Sequence, residues 1–450
     1  MVIYRTVTCW LLAYITIGAN LSLANGTNSE LAPTYGVEEN WNAKFQTTYI
    51  WQDKASFNAA YNGRNSLTTQ QEKSYSFTAT AFLGMRPWKG GELYFNPEVV
   101  QGVPFSHLTG LGGLSNGEMA RTSGPNPKLY MARAFIRQSW GLDELQNAVD
   151  SGANQLAGNV HQRRIVLTVG KLSVPDIFDN NTYSHDPRTQ FINWSLMTSG
   201  AYDYAADARG YTWGTALEYY YDDWAFRAGR FIQPKVPNQL DLDRRIFNHY
   251  GDQIEVGHGH TLFNQPGKIR LLAFRNRTLM SHFQDALDYA ALYGGAPSIN
   301  NVRNSEQIKY GIGLNLEQQL IPNIGVFGRA SWADGKTETY AFTEIDNSLA
   351  AGTLIQGNVW GRNQDNLGIA LVRNGLSRQR RDYLSAGGIS FFIGDGALNY
   401  RSENILEIFY SLGATKAISL TLDYQYINNP AYNADRGPVS IGAIRLHGIF

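Results

Sequence analysis

The chain has 450 residues, with 38 lysines and arginines set against 38 aspartates and glutamates. Balanced charge excludes a nucleic-acid binder built on a basic face and a protein with an acidic interaction tail. A negative mean hydropathy beside 45 glycines and 26 tyrosines excludes a bundle of membrane helices. It leaves open a membrane barrel, whose polar lumen hides a narrow apolar band in the average.

Residues 1–24 read as a secretory signal. Arg5 supplies the positive start, Cys9 to Ile17 the short apolar core, and Ser22-Leu23-Ala24 the small residues before a cut. The apolar run is well short of the roughly 20 residues of a spanning helix. Cys9 is the only cysteine. Its loss with the signal would exclude disulfides, a cysteine nucleophile and thiolate metal sites. A short N-terminal segment, 25–39, then leads into one domain, 40–450.

That domain shows no long apolar stripe at helical spacing. It shows alternating stretches separated by Gly, Asn, Asp and Pro. In the first, Trp41, Ala43, Phe45, Thr47, Tyr49 and Trp51 share one face, and Asn42, Lys44, Gln46, Thr48 and Gln52 the other. Trp41 and Trp51 lie roughly 33 Å apart on an extended chain. Tilted by about 40°, that separation matches the two aromatic girdles of a membrane barrel. Candidate strands follow at 74–86, 91–101, 128–140, 163–173, 210–221, 224–233, 251–262, 267–276, 307–319, 323–333, 339–351, 365–374, 387–393, 402–412, 417–427 and 440–450. Within 210–221, Tyr211, Trp213, Thr215, Leu217 and Tyr219 are expected on one face. The chain ends on Phe450, as final strands of outer-membrane barrels typically do.

These stretches number seventeen, and a single-chain bacterial barrel has an even count. The weakest is 387–393, a short apolar run between glycine pairs. Placing it in a loop leaves sixteen strands and puts the short turns at 221–223, 265–267, 320–322 and 413–416 on one side. The long connections 53–73, 102–127, 174–209, 277–306 and 375–401 fall on the other, where structured loops fold inward. The expected fold is all-β: a transmembrane antiparallel barrel of about 16 strands with inward-folded extracellular loops.

A charge facing lipid near the midplane would cost about 2–4 kcal/mol. Glu92, Glu98, Arg133, Arg137, Lys171, Arg227, Glu255, Arg270, Glu317, Arg329 and Glu407 are therefore expected mostly in the lumen. From the strands, Glu98 and Arg133 are the candidates for a solute site. From the loops, Asp176, Asp179, Asn180, Asn181, Arg188 and Trp194 are, since inward loops build the narrowest part of a pore. The bland alternative is that the strand charges pair across a wet wall, and that Asp and Asn form turns.

Val174-Pro175-Asp176-Ile177-Phe178-Asp179-Asn180-Asn181, then His185-Asp186-Pro187-Arg188-Thr189-Gln190-Phe191 and Asn193-Trp194, resemble the third-loop signature of the OprB-type carbohydrate-selective porins. Asn96-Pro97-Glu98 with Gln101-Gly102, Gly152-Ala153-Asn154-Gln155-Leu156-Ala157-Gly158 and Trp360-Gly361-Arg362 are similar to further motifs of that family, in order from about residue 40 to 450. The resemblance implies a sixteen-stranded barrel of the bacterial outer membrane that passes glucose and related sugars into the periplasm without energy input. Its implied partners are small carbohydrates and outer-membrane lipid, with no cofactor and no nucleic acid, as a monomer or trimer. The alternatives are a porin for other small solutes such as organic acids and, more remotely, an outer-membrane barrel enzyme. An eyelet of mixed charge with tryptophan would favour sugars; a ring of Arg and Lys would favour acids.

Three signals suggest other chemistry. Gly113-Leu114-Ser115-Asn116-Gly117 matches G-x-S-x-G, but its flanks are glycine-rich loop rather than strand and helix. Gly335-Lys336-Thr337 resembles the end of a phosphate loop without its leading glycine. His258 and His260 share a strand face, and two ligands are too few for a structural zinc site. No catalytic residue and no metal site is expected.

Overall fold

The computed structural model describes residues 37–341 and 343–450. The expected signal, 1–24, lies outside the described residues. Eighteen strands follow in chain order: β1 (Trp41–Lys54), β2 (Glu72–Trp88), β3 (Gly91–Val103), β4 (Lys128–Gly141), β5 (Gln146–Val149), β6 (Gly158–His161), β7 (Arg164–Leu172), β8 (Thr212–Tyr221), β9 (Trp224–Ile232), β10 (Tyr250–Leu262), β11 (Gln265–Leu279), β12 (Glu306–Ile321), β13 (Ile324–Ala333), β14 (Asn347–Gln356), β15 (Asn366–Gly375), β16 (Glu403–Gly413), β17 (Ile418–Asn428) and β18 (Val439–Ile449). All but β5 and β6 form one closed antiparallel barrel of sixteen strands. β1 pairs with β18 to shut it, from Gln46 opposite Ile449 to Lys54 opposite Ile441. Closure leaves no unpaired strand edge facing lipid, which the hydrocarbon would penalise heavily.

Alternation decides which face each side chain meets. Leu271, Leu371 and Leu422 stand more than half exposed on the outer wall. Near the rim with short turns, Trp41, Trp88, Trp140, Tyr221 and Trp224 form an exposed aromatic girdle. Toward the other rim lie Trp213, Tyr310 and Trp332, the last two packed edge to face at 5.9 Å. These belts sit where amphipathic rings meet headgroups.

The 387–393 run lies in a loop, as the even count required. It follows the helix Arg378–Ser385. Three expectations need correction. The stretch 339–351 is not a strand throughout: β14 begins at Asn347, and Thr339, Tyr340, Ala341 and Ile345 are buried in loop. Asp203 accepts hydrogen bonds from the Tyr340 and Ala341 amides, an alternative to a strand partner. The 280–305 connection carries an 11-residue helix, Phe283–Tyr293, that buries Phe283 and Ala286, although helical spacing is inconspicuous there. The connection between β4 and β7 is long, although it lies on the short-turn side, and contains the β5–β6 hairpin.

The core lies inside the barrel, between loops and wall. Phe178, Trp194, Tyr202 and Tyr204 of the 173–211 loop pack with Phe231, Leu272 and Phe274 of the wall. Phe191 of the same loop meets Phe327 and Phe409 at 5.6 and 5.0 Å.

Candidate functional site

The 173–211 loop crosses the lumen, and buried wall charges fasten it to one side. Arg329 on β13 donates to the backbone oxygens of Leu196 at 2.8 Å and Ser184 at 2.7 Å. Glu407 on β16 accepts from the amides of Ile192 and Asn193 at 2.5 and 3.0 Å. Arg445 on β18 donates to Pro187 and Gln190 oxygens at 2.8 and 2.6 Å. Glu317 on β12 accepts from Thr182, and Glu255 on β10 from the Asp179 amide. Loop backbone inside a dry wall needs such partners, because an unmatched buried amide or carbonyl is costly.

This fixes the place of three candidates. Asp179 is buried and accepts from Asn315 and from the Ser199 hydroxyl. Asn181 donates to Asn315 at 2.7 Å. The Asn180 carbonyl accepts from Asn315. None of the three lines the open chamber described next. They belong to the fastening against β12 and β13. Short polar side chains that bridge backbone do this work as readily as they bind solute.

On the other side, the loop stands off the wall formed by β1–β4. The gap is a chamber of about 320 Å³ lined by Glu98, Arg133, Asp176, Arg188 and Trp194 among others. The structure thus brings five of the eight candidates together. Arg133 holds Asp176 in a two-point pair, Nε to Oδ2 at 2.7 Å and Nη2 to Oδ1 at 2.6 Å. Burial alone would raise the Asp176 carboxyl, but the Arg133 guanidinium outweighs it and holds the group below the ordinary aspartate range. The Asp176 side chain is 31% exposed, toward the chamber. Arg188 bridges two carboxylates, Glu118 at 2.7 Å and Glu98 at 3.2 Å. Burial pushes the Glu118 carboxyl up against the pull of Arg188, and nearby Glu98 adds to the rise. Trp194 stacks on Tyr204 with ring centres 6.3 Å apart.

The chamber also holds residues that alternation hides. A bulge in β4 pairs Pro97 with Met131 and Asn96 with Arg133, leaving Ala132 between. It puts Tyr130 and Arg133 on the lumen side together, although three positions apart. A proline inside strand β3 was the available hint, since proline in a sheet marks an edge or a bulge. Tyr130 and Tyr211 both donate to Glu98, Tyr211 at 3.4 Å. Tyr211 precedes β8 and lines the chamber, contrary to its expected place on one face with Trp213, which stands exposed on the outer wall. Lys171 departs the other way: it pairs opposite Ala134 on the outer face near the rim, where its ammonium reaches the Met131 oxygen at 2.9 Å.

The floor of the chamber comes from the β4–β7 connection. Ala153 and Asn154 line it. Their segment is held by Arg137 to the Asn154 oxygen at 3.1 Å, by Asn42 to the Gln155 oxygen at 2.9 Å and by the Leu156 amide to Tyr94 at 3.2 Å.

The Gly113 amide donates to Glu403, and the Ser115 oxygen accepts from Gln52 and Gln425, so the G-x-S-x-G stretch is loop fastened to the wall. His258 packs on Trp224 at 4.4 Å. Among the described residues no group of three metal-ligating side chains converges.

A family model described as carbohydrate-selective porin, OprB family, matches residues 30–450. No curated protein matches the sequence. Among solved structures, the high-pH form of Pseudomonas putida OprB is 14% identical, with a TM-score of 0.69 over 91% of this chain and 94% of that one. A loop-deletion mutant of OmpT from Vibrio cholerae is 10% identical, with a TM-score of 0.46 over 92% of this chain and 100% of that one. The first match shares the barrel fold described above. The chain belongs to the OprB family of carbohydrate-selective porins and is a porin of the bacterial outer membrane.

Proposed function

We propose that the pore passes small neutral carbohydrates, glucose and related sugars, into the periplasm by facilitated diffusion, and that the chamber is where they bind. The observation that carries this reading is the pairing of charges beside aromatic rings. Arg133 meets Asp176, and Arg188 meets Glu98 and Glu118. Trp194, Tyr204, Tyr130 and Tyr211 stand around them. A sugar offers hydroxyls at its edge and C–H groups on its face. Paired donors and acceptors suit the first, and rings suit the second. A surplus of one charge would select ions instead. The two-point bond of Arg133 to Asp176 and the double bridge of Arg188 keep the geometry fixed without a solute. The volume lies at the low end of ligand pockets, suited to a mono- or disaccharide.

The test is single-channel conductance of the refolded protein in a planar bilayer, titrated with glucose and then with a small carboxylate. Saturable block by glucose supports the reading. Trp194→Ala should then weaken the block about tenfold while openings persist, a loss of the size seen for one well-placed ring. Openings indifferent to glucose but sensitive to the acid would replace the sugar reading with an organic-acid pore.

A further inference from the structure

A second cavity, of about 480 Å³, opens among the external loops and is lined by Pro237, Gln239, Arg303, Glu338 and Phe391. Arg303 and Glu338 are ion-paired there, with Nε to Oε1 at 2.7 Å. Two strips of chain lie between this vestibule and the chamber. Met119 and Ala120 face the chamber, and Arg121 follows them. Arg209 and Gly210 also face the chamber, while the Ala208 amide donates to the Gln239 oxygen at 3.0 Å on the vestibule side.

Two arginines sit in that partition. The Arg121 guanidinium lies over the Phe391 ring, 4.3 Å from its centre, and donates to the Asn238 oxygen. The Arg209 guanidinium lies over the Tyr130 ring at 4.4 Å and donates to the Thr122 hydroxyl at 3.3 Å. Neither is ion-paired to a carboxylate among the described residues, unlike Arg133 and Arg188 below them. A guanidinium on a ring is held less firmly than one in a charge-assisted pair with a carboxylate. Each covers an aromatic face belonging to one cavity: Phe391 to the vestibule, Tyr130 to the chamber.

We propose that these two arginines are removable caps on successive aromatic platforms. A small neutral polyhydroxylated solute entering from outside displaces Arg121 from Phe391, stacks there, then displaces Arg209 from Tyr130 to reach the chamber. The vestibule is thus a second, outer station for the solute. This rests on the carbohydrate reading for the solute's class, but not for the position of Arg121 in the path. The planar cation has to leave the ring face before a sugar can occupy it, and its spare N–H groups can follow a hydroxyl as it moves.

The test uses Arg121→Ala, Arg121→Lys and Arg121→Cys in the full chain, with small-ion conductance and glucose-block kinetics measured from each side. Arg121→Ala should raise conductance and speed glucose association from the external side about three- to tenfold, the range a lost ring contact converts to. Dissociation from the chamber should change little. Phe391→Ala should slow external association instead. A cationic thiol reagent added externally should lower the conductance of Arg121→Cys and leave the parent unchanged. Unchanged conductance, association and reagent response in all variants, with normal glucose block of the parent, would overturn the caps and leave the sugar reading standing. If glucose blocks neither parent nor variant, the carbohydrate reading fails, and the reagent response still decides whether Arg121 lies in the path.

Discussion

His185 illustrates how far one side chain depends on its seat in the lumen. It lines the chamber, and its Nδ1 lies 3.2 Å from the Met197 oxygen. Burial lowers its pKa, and Arg329 lowers it further. Asp186, Asp179 and Asp176 pull the other way without reversing the shift. The folded chain therefore keeps the ring neutral at a pH where the unfolded imidazole, with a pKa of about 6.5, begins to bind a proton. In the window below that value the unfolded state holds more protons, so stability falls as pH falls. Acidification from pH 7 to 5 should loosen the 173–211 loop, by no more than about 1.4 kcal/mol per pH unit from this one group. His185→Asn, which keeps a donor but does not titrate, should flatten that part of the slope. Protease cleavage of the loop against pH reads both. A parent whose cleavage is flat across the window would contradict the buried neutral ring.

The loop as an element is held by charges that alternation assigned to the lumen correctly. Arg329, Glu317, Glu255 and Glu407 do face inward, but they meet backbone rather than solute. That distinction was not legible, because a lumen-facing arginine looks the same in sequence whether it clamps a loop or lines a passage. That Asp179, Asn180 and Asn181 lie against β12 rather than in the chamber was not legible for the same reason: their spacing shows a polar loop, not the wall it rests on. Strand alternation was legible because lipid and lumen impose opposite demands on successive residues. The helix Phe283–Tyr293 and the β5–β6 hairpin face no such two-sided demand and stayed hidden. So did Tyr130, whose inward turn depends on a bulge, and Tyr211, which lies just before its strand. The clamp predicts its own test. Arg329→Met strands the Leu196 and Ser184 carbonyls and leaves Asp179 without its nearby cation at 3.7 Å. It should cost about 3–5 kcal/mol, as loss of one partner from a buried pair does. Denaturant unfolding in detergent should register it, with a wider and noisier open channel.

At the scale of the whole barrel, the two faces should respond oppositely to the same change. Leu371, near the middle of β15, is 62% exposed on the outer wall. Leu371→Arg should destabilise by about 2–4 kcal/mol, the cost of a cation near the midplane. Glucose block in the protein that still folds should be unchanged, since the chamber lies inside. Equilibrium unfolding in lipid vesicles reads the first effect and channel recordings the second. A stable Leu371→Arg with altered block would reverse the assignment of faces. The even strand number could be read from the sequence, because closure with both ends on one side forbids seventeen. The position of β14 could not, since buried loop and buried strand carry the same apolar residues.

The floor formed by Ala153 and Asn154 makes the chamber's two exits unlike each other. From outside, a solute meets a broad antechamber and then two guanidiniums laid over rings; from the periplasm, it meets backbone cross-linked to the wall at once. A passive pore cannot prefer a direction at equal concentrations, because detailed balance forces the net flux to zero. Unequal barriers in series nonetheless fill the site differently from its two faces. Influx and efflux through this one hole should therefore saturate at different concentrations, so that the pore, without any energy source, behaves under a steep gradient as a kinetic rectifier.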